Sequence, residues 1–234
     1  MKKMMLSLVL ILALSAQTQA QELLSPSNSF SHKKTAYITL TDGTEVKCTI
    51  KKIDRKKGLI KEIKVRNEEG KKVKYKPDEI AYMYLPPSGL DKLGKALDFL
   101  EDAKKWTDEK LEQDLLNQGY VYFEQSDVKL KKKTKSMLMQ LLNPGFSRKV
   151  KVYHDPWAKE SLSLGVGPVK VAGGIAKSYY VKLDTDKVAF RLKKKHYRSE
   201  FKLLWKSCPA VKDSVHDIRW SEFTKHIITY TECE

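Results

Sequence analysis

The chain has 234 residues, 41% of them hydrophobic and 32% charged, with a formal net charge of +16, enough for one large or two small domains. Lysine supplies most of the positive excess, since the only arginines are Arg55, Arg66, Arg148, Arg191, Arg198 and Arg219. Bidentate recognition of phosphates and bases favours arginine, so this balance argues against a nucleic-acid partner. It reads first as a solvated surface and second as attraction to anionic envelope material.

Lys2 and Lys3 precede an apolar run from Met4 to Ala16, and Thr18-Gln19-Ala20 offers small residues where a signal peptidase reads. Residues 1–20 therefore read as a secretory signal peptide cleaved after Ala20, too short for a membrane span. The product is expected to be periplasmic or secreted, and no later stretch is apolar for long enough to cross a bilayer. Residues 21–34 are rich in Ser and Lys without periodicity and read as a flexible lead-in.

Residues 35–86 hold five short strands. Asp42-Gly43 and Glu68-Glu69-Gly70 each mark a hairpin, and Pro77-Asp78 introduces the fifth strand. The density of strands suggests a small SH3-like barrel. Cys48 alternates with Val46 and Ile50, which puts it on an inward face as a buried, inert thiol.

Pro86-Pro87-Ser88-Gly89 breaks the pattern, and residues 87–118 read as a helical connector. Leu90, Leu93, Leu97 and Leu100 recur at helical spacing. Trp106, Leu111 and Leu115 continue the theme after Thr107, a candidate cap, and Gly119 supplies the stop.

Residues 119–198 return to strands and read as an antiparallel domain. Lys129, Lys131 and Lys133 alternate with Leu130, and Lys149 and Lys151 alternate with Val150 and Val152. Neighbouring strands with this pattern would present a lysine ridge, which makes these five the candidate binding residues. Gly165, Gly167, Gly173 and Gly174 lack the Gly-Lys-Ser/Thr adjacency of a phosphate loop and read as hairpin turns. His154-Asp155-Pro156-Trp157 joins an imidazole, a carboxylate and an aromatic in one turn. With Glu160, His154 and Asp155 are the first suspects for any catalysis, although the turn also reads as an ordinary strand end. The five histidines are dispersed, with no HExxH, so neither a metal nor a cofactor is expected.

Residues 199–234 change to helical spacing. Phe201, Leu204 and Trp205 share one face, Pro209 suits a first turn, and Ser221 is placed to cap a helix carrying Phe223, Ile227 and Tyr230. In an oxidising compartment Cys208 and Cys233 are the natural partners, leaving Cys48 free, and a loop of that length is worth on the order of 3 kcal/mol.

The sequence "FKLLWKSCP…ITYTEC", preceded by "SYYVKLD…RLKKKHY", resembles the C-terminal part of a family of secreted Bacteroidetes proteins. In that family an acidic residue is usual where Ser207 stands and an asparagine where Thr231 stands. The N-terminal strand order is also similar to a module of some of these proteins. The resemblance implies export and a paired Cys208–Cys233; it carries no activity and no functional residues.

The sequence thus predicts an α+β, mainly antiparallel β protein. It has an N-terminal barrel, a helical connector, a second β domain and disulfide-stapled C-terminal helices. The function it points to is non-catalytic binding of anionic envelope material or of another envelope protein, through the lysine face or the barrel. The alternative is a hydrolase acting on envelope polymers or peptides.

Overall fold

The computed structural model describes residues 23–88, 107–158, 176–213 and 218–233. The signal peptide, the Leu90–Leu100 helix, the glycine-containing strands between 161 and 174, Glu160 and His216 lie outside them.

The fold is α+β and dominated by antiparallel strands. β1 (Thr35–Leu40), β2 (Glu45–Lys56), β3 (Leu59–Asn67), β4 (Lys72–Tyr75), β5 (Ile80–Leu85), β6 (Val121–Leu130) and β7 (Lys133–Gln140) form a seven-stranded sheet in the order β4-β3-β2-β1-β5-β6-β7. β8 (Val150–His154), β9 (Ser178–Leu183) and β10 (Phe190–Lys193) form a three-stranded sheet in the order β10-β9-β8. Four short helices accompany them: α1 (Gln113–Asn117), α2 (Tyr197–Leu204), α3 (Pro209–Asp213) and α4 (Phe223–Glu232).

Turn chemistry sets the hairpins. Gly43 and Gly70 take φ of +87° and +80°, in the left-handed region open to glycine, at the two predicted turns. The Asp42 carboxylate accepts from the Thr44 amide at 2.9 Å and closes the first. Gly119 ends α1 with φ +81°; its amide donates to Leu116 and that of Tyr120 to Leu115, which satisfies the last helical carbonyls.

Residues 35–86 do not close into an SH3-like barrel. β4 remains an edge, and the outer edge of β5 is taken by β6, so the sheet continues across the 87–118 segment. Nor is the lead-in free where it is described. The Leu24 amide donates to Leu142 and the Ser31 amide to Pro86, while Phe30 is buried edge-on against Phe123 with ring centroids 6.0 Å apart. Burying one phenylalanine stabilises by roughly 1.5–3 kcal/mol, enough to hold a segment that lacks a periodic pattern.

Packing is layered. Val150, Val152, Tyr179, Val181 and Leu192 join Phe201, Trp205, Phe223 and Ile227 of the C-terminal helices in one core. The alternate residues Tyr153, Tyr180 and Ala189 join Tyr84, Tyr122, Met137 and Met139 of the large sheet in another. The small sheet is therefore covered on both faces, and β9 is buried continuously from Ser178 to Val181 rather than on one side. Two isolated bridges, Leu141–Tyr153 and Val128–Ala189, tie the sheets together at the backbone.

Two predicted caps differ. Thr107 donates to the Gly145 carbonyl at 3.0 Å in a buried contact and caps no helix. Ser221 lies inside a tight 3-10 turn, Trp220–Glu222, that leads into α4. Trp220 fixes that turn by donating to the Ala176 carbonyl at 2.9 Å and stacking on Phe223, centroids 5.2 Å apart. Cys208 and Cys233 are disulfide-bonded, with Cα atoms 5.7 Å apart. Cys48 is free and buried.

Candidate functional site

The hairpin of β6 and β7 is the most basic feature described. Leu130 pairs with Lys133, so Lys131 and Lys132 form the turn, and Lys131 adopts φ +53°. The predicted single strand carrying Lys129, Lys131 and Lys133 is thus corrected. Lys129 precedes the turn, Lys131 lies in it, and Lys133 opens the return strand opposite Leu130.

From Lys131 to Ser136 every residue is exposed, whereas Met137 to Gln140 are all buried. A strand lying on a core shows alternation. Uninterrupted exposure on both strands means that the outer end of the hairpin projects beyond the core. Lys129, Lys131, Lys132, Lys133 and Lys135 are all exposed there. Among the described residues none of these five enters an ion pair with a carboxylate. Lys132 and Lys135 escape the sequence reading because they fall off its period of two.

Lys149 and Lys151 are not part of this finger. Lys149 Nζ donates to the carbonyl of Cys233. Lys151 Nζ lies 3.0 Å from Asp108 and 3.0 Å from Glu124, in a half-buried cluster between the two sheets. Burial pulls the Lys151 ammonium down, but Glu124 and Asp108 outweigh it and hold it above its ordinary value. Glu124 also accepts from Tyr153 Oη at 2.6 Å and Tyr122 Oη at 3.3 Å. Burial, reinforced by the Glu124 carboxylate, pushes both phenols up. With its ammonium held between two carboxylates, Lys151 ties layers together and offers little to a ligand. The available sequence signal for this cluster is Glu124 itself, a carboxylate between Phe123 and Gln125 in an apolar strand.

The catalytic suspects are not gathered into a reactive site. Asp155 is buried, and its Oδ2 accepts from Ser178 Oγ at 2.6 Å and from Arg191 Nε at 2.5 Å. Its Oδ1 accepts from the Trp157 amide at 3.0 Å. A carboxylate so saturated fixes the turn after β8. His154 pairs with Tyr179 in the ladder, and Glu160 lies outside the described residues.

The two departures from the C-terminal pattern do structural work. Ser207 Oγ and Tyr230 Oη are 2.9 Å apart, and Thr231 Oγ1 donates to the Ile227 carbonyl of its own helix at 2.9 Å. Among the described residues no group of three His, Cys, Asp or Glu side chains is placed to hold a metal, and no helix is long and apolar enough to cross a membrane. Searches against family models, curated proteins and solved structures find no match to this chain.

Proposed function

We propose that the chain is an exported, non-catalytic binding protein of the bacterial envelope that engages an acidic polysaccharide through the β6–β7 hairpin. The observation that carries this reading is the run of exposed, unpaired lysines at 129, 131, 132, 133 and 135 on a finger with solvent on both faces. Lysine acts as a solvated point charge, which suits a repeating polyanion better than a shaped phosphate site. The only large hydrophobic side chain strongly exposed among the described residues is Leu203 on α2, so the hairpin has no apolar anchor for a bilayer. Saturation of Asp155 speaks against the hydrolase alternative.

Export is supported by the Cys208–Cys233 disulfide, because such bonds persist in oxidising compartments, and by the leader-like first 20 residues. The C-terminal pattern supports membership of the secreted Bacteroidetes family.

The test is retention of the purified chain on an immobilised uronic-acid polysaccharide as salt is raised, beside anionic phospholipid vesicles. Binding to the polysaccharide is expected to collapse as the Debye length falls below about 8 Å. A triple Lys129→Gln, Lys131→Gln, Lys133→Gln variant is expected to elute at lower salt. Equal elution of the variant, or preference for vesicles, overturns the reading.

A further inference from the structure

Arg55, at the far end of the β2–β3 hairpin, holds a guanidinium whose charge nothing on the page balances. A register shift between Asp54 and Arg55 interrupts the ladder, and Arg55 pairs with Ile60. Its Nη1 donates to the Gly58 carbonyl at 3.1 Å, which fastens the planar group in one orientation. The other edge is unused: Nε and Nη2 are shut off from solvent and have no hydrogen-bond partner among the described residues. Asp54, its neighbour in sequence, is engaged elsewhere, 2.5 Å from Lys52 and 3.2 Å from Lys64. Burial alone pushes the Arg55 guanidinium below its ordinary value, with no acidic group acting against it.

Orphaned donors on a buried cation are costly, and proteins relieve the cost by pairing the charge. The two orphans are the pair that matters. Nε–H and Nη2–H lie on the same side of a guanidinium and form the side-on fork that grips two oxygens of one carboxylate. A single buried positive charge is neutralised by a monoanion, whereas a dianionic phosphate would leave one negative charge buried. Next to the fork the wall is tight: a Cβ on Gly58 would come 2.7 Å from Pro156 Cβ. Lys56 and Lys57, both exposed, flank it and favour the approach of an anion.

We infer that the Nε–Nη2 edge of Arg55, beside Gly58 and Pro156, is a binding site for a monocarboxylate. The site stands apart from the lysine finger and does not rest on the function proposed for it.

Isotope-labelled arginine side chains in the full chain give a direct test, because six arginines yield six Nε–H signals. The Arg55 signal is identified by its loss in Arg55→Lys, or by its Overhauser contact to Gly58 should that variant not fold. Sodium acetate is titrated against chloride at constant ionic strength, and inorganic phosphate in a parallel series. The expected result is a saturable displacement of the Arg55 signal alone. Arg55→Lys, which has no fork, should lose at least about tenfold of the acetate affinity, the worth of one charge-assisted hydrogen bond. An Arg55 signal that ignores acetate, that moves linearly with the other five, or that responds to phosphate as tightly as to acetate overturns the inference.

Discussion

Tyr153 donates its phenolic hydrogen to Glu124 across 2.6 Å, and that bond joins the central strand region of one sheet to the edge of the other. Lys151, two residues earlier on β8, reaches the same carboxylate. Glu124→Gln keeps the shape but removes the charge that both donors use. The variant should lose about 1–3 kcal/mol of stability, read as a lower urea midpoint at unchanged slope. An unaltered midpoint would show that the cluster contributes nothing net.

Alkaline pH should unfold the chain early. Burial pushes the phenols of Tyr179 and Tyr180 up to about 12, and those of Tyr84, Tyr122, Tyr153 and Tyr197 are raised as well. In the unfolded chain a tyrosine ionises near ~10. Folded pKa values above the unfolded one mean that this stability is complete below ~10 and drains as pH rises toward the folded values. Phenolate absorbance should therefore appear together with loss of structure. Ionisation of these six tyrosines in a chain that stays folded near pH ~10 would contradict their burial.

Acid works through Asp108. Burial raises its carboxyl, but the Lys110 amide and the Lys151 ammonium prevail and hold it below its ordinary value. That contribution is present above ~3.9 and is lost as pH falls through the lower folded value. Asp108→Asn should flatten the acid limb of a stability–pH curve, and an identical limb would remove Asp108 from the account.

Replacing Cys208 and Cys233 together by serine should cost about 3 kcal/mol, the loop-closure term for a bond spanning 25 residues. Cys48 should stay silent toward thiol reagents in the folded protein, since burial pushes its thiol up to about 12. Prompt labelling of Cys48 without denaturant would show that β2 opens.

Two glycines separate backbone strain from packing. Gly43, at φ +87°, has open space where a Cβ would go, while Gly58, at φ +81°, faces Pro156. Gly43→Ala should cost about 1–2 kcal/mol from the left-handed backbone alone. Gly58→Ala should cost about 1–3 kcal/mol more because Pro156 must move. Equal losses would mean that the hairpin yields freely there.

Local physics explains which parts of this arrangement can be read from residues alone. In β1 and β3 one face is buried, so alternation marks them, and Asp42-Gly43 announces its own turn. β9 has no such alternation to show, because a strand between two layers buries both faces. Lys131 hides a turn: a non-glycine residue at φ +53° is uncommon, and a run of lysines carries no turn signal. The β5–β6 pairing and the Glu124–Lys151–Asp108 cluster join residues distant in sequence, for which no local pattern exists. Arg55 is likewise invisible beforehand, since its isolation is a property of what surrounds it.

Leu23 and Cys233 pack onto the same aromatic-rich cluster under the C-terminal helices. The earliest described part of the chain and the latest are therefore seated in one step, and the intervening sheets cannot bury that cluster by themselves. Synthesis delivers α4 near the end, so assembly waits for almost the whole polypeptide, and a product cut short before Trp220 would leave Tyr179 and Tyr197 facing water.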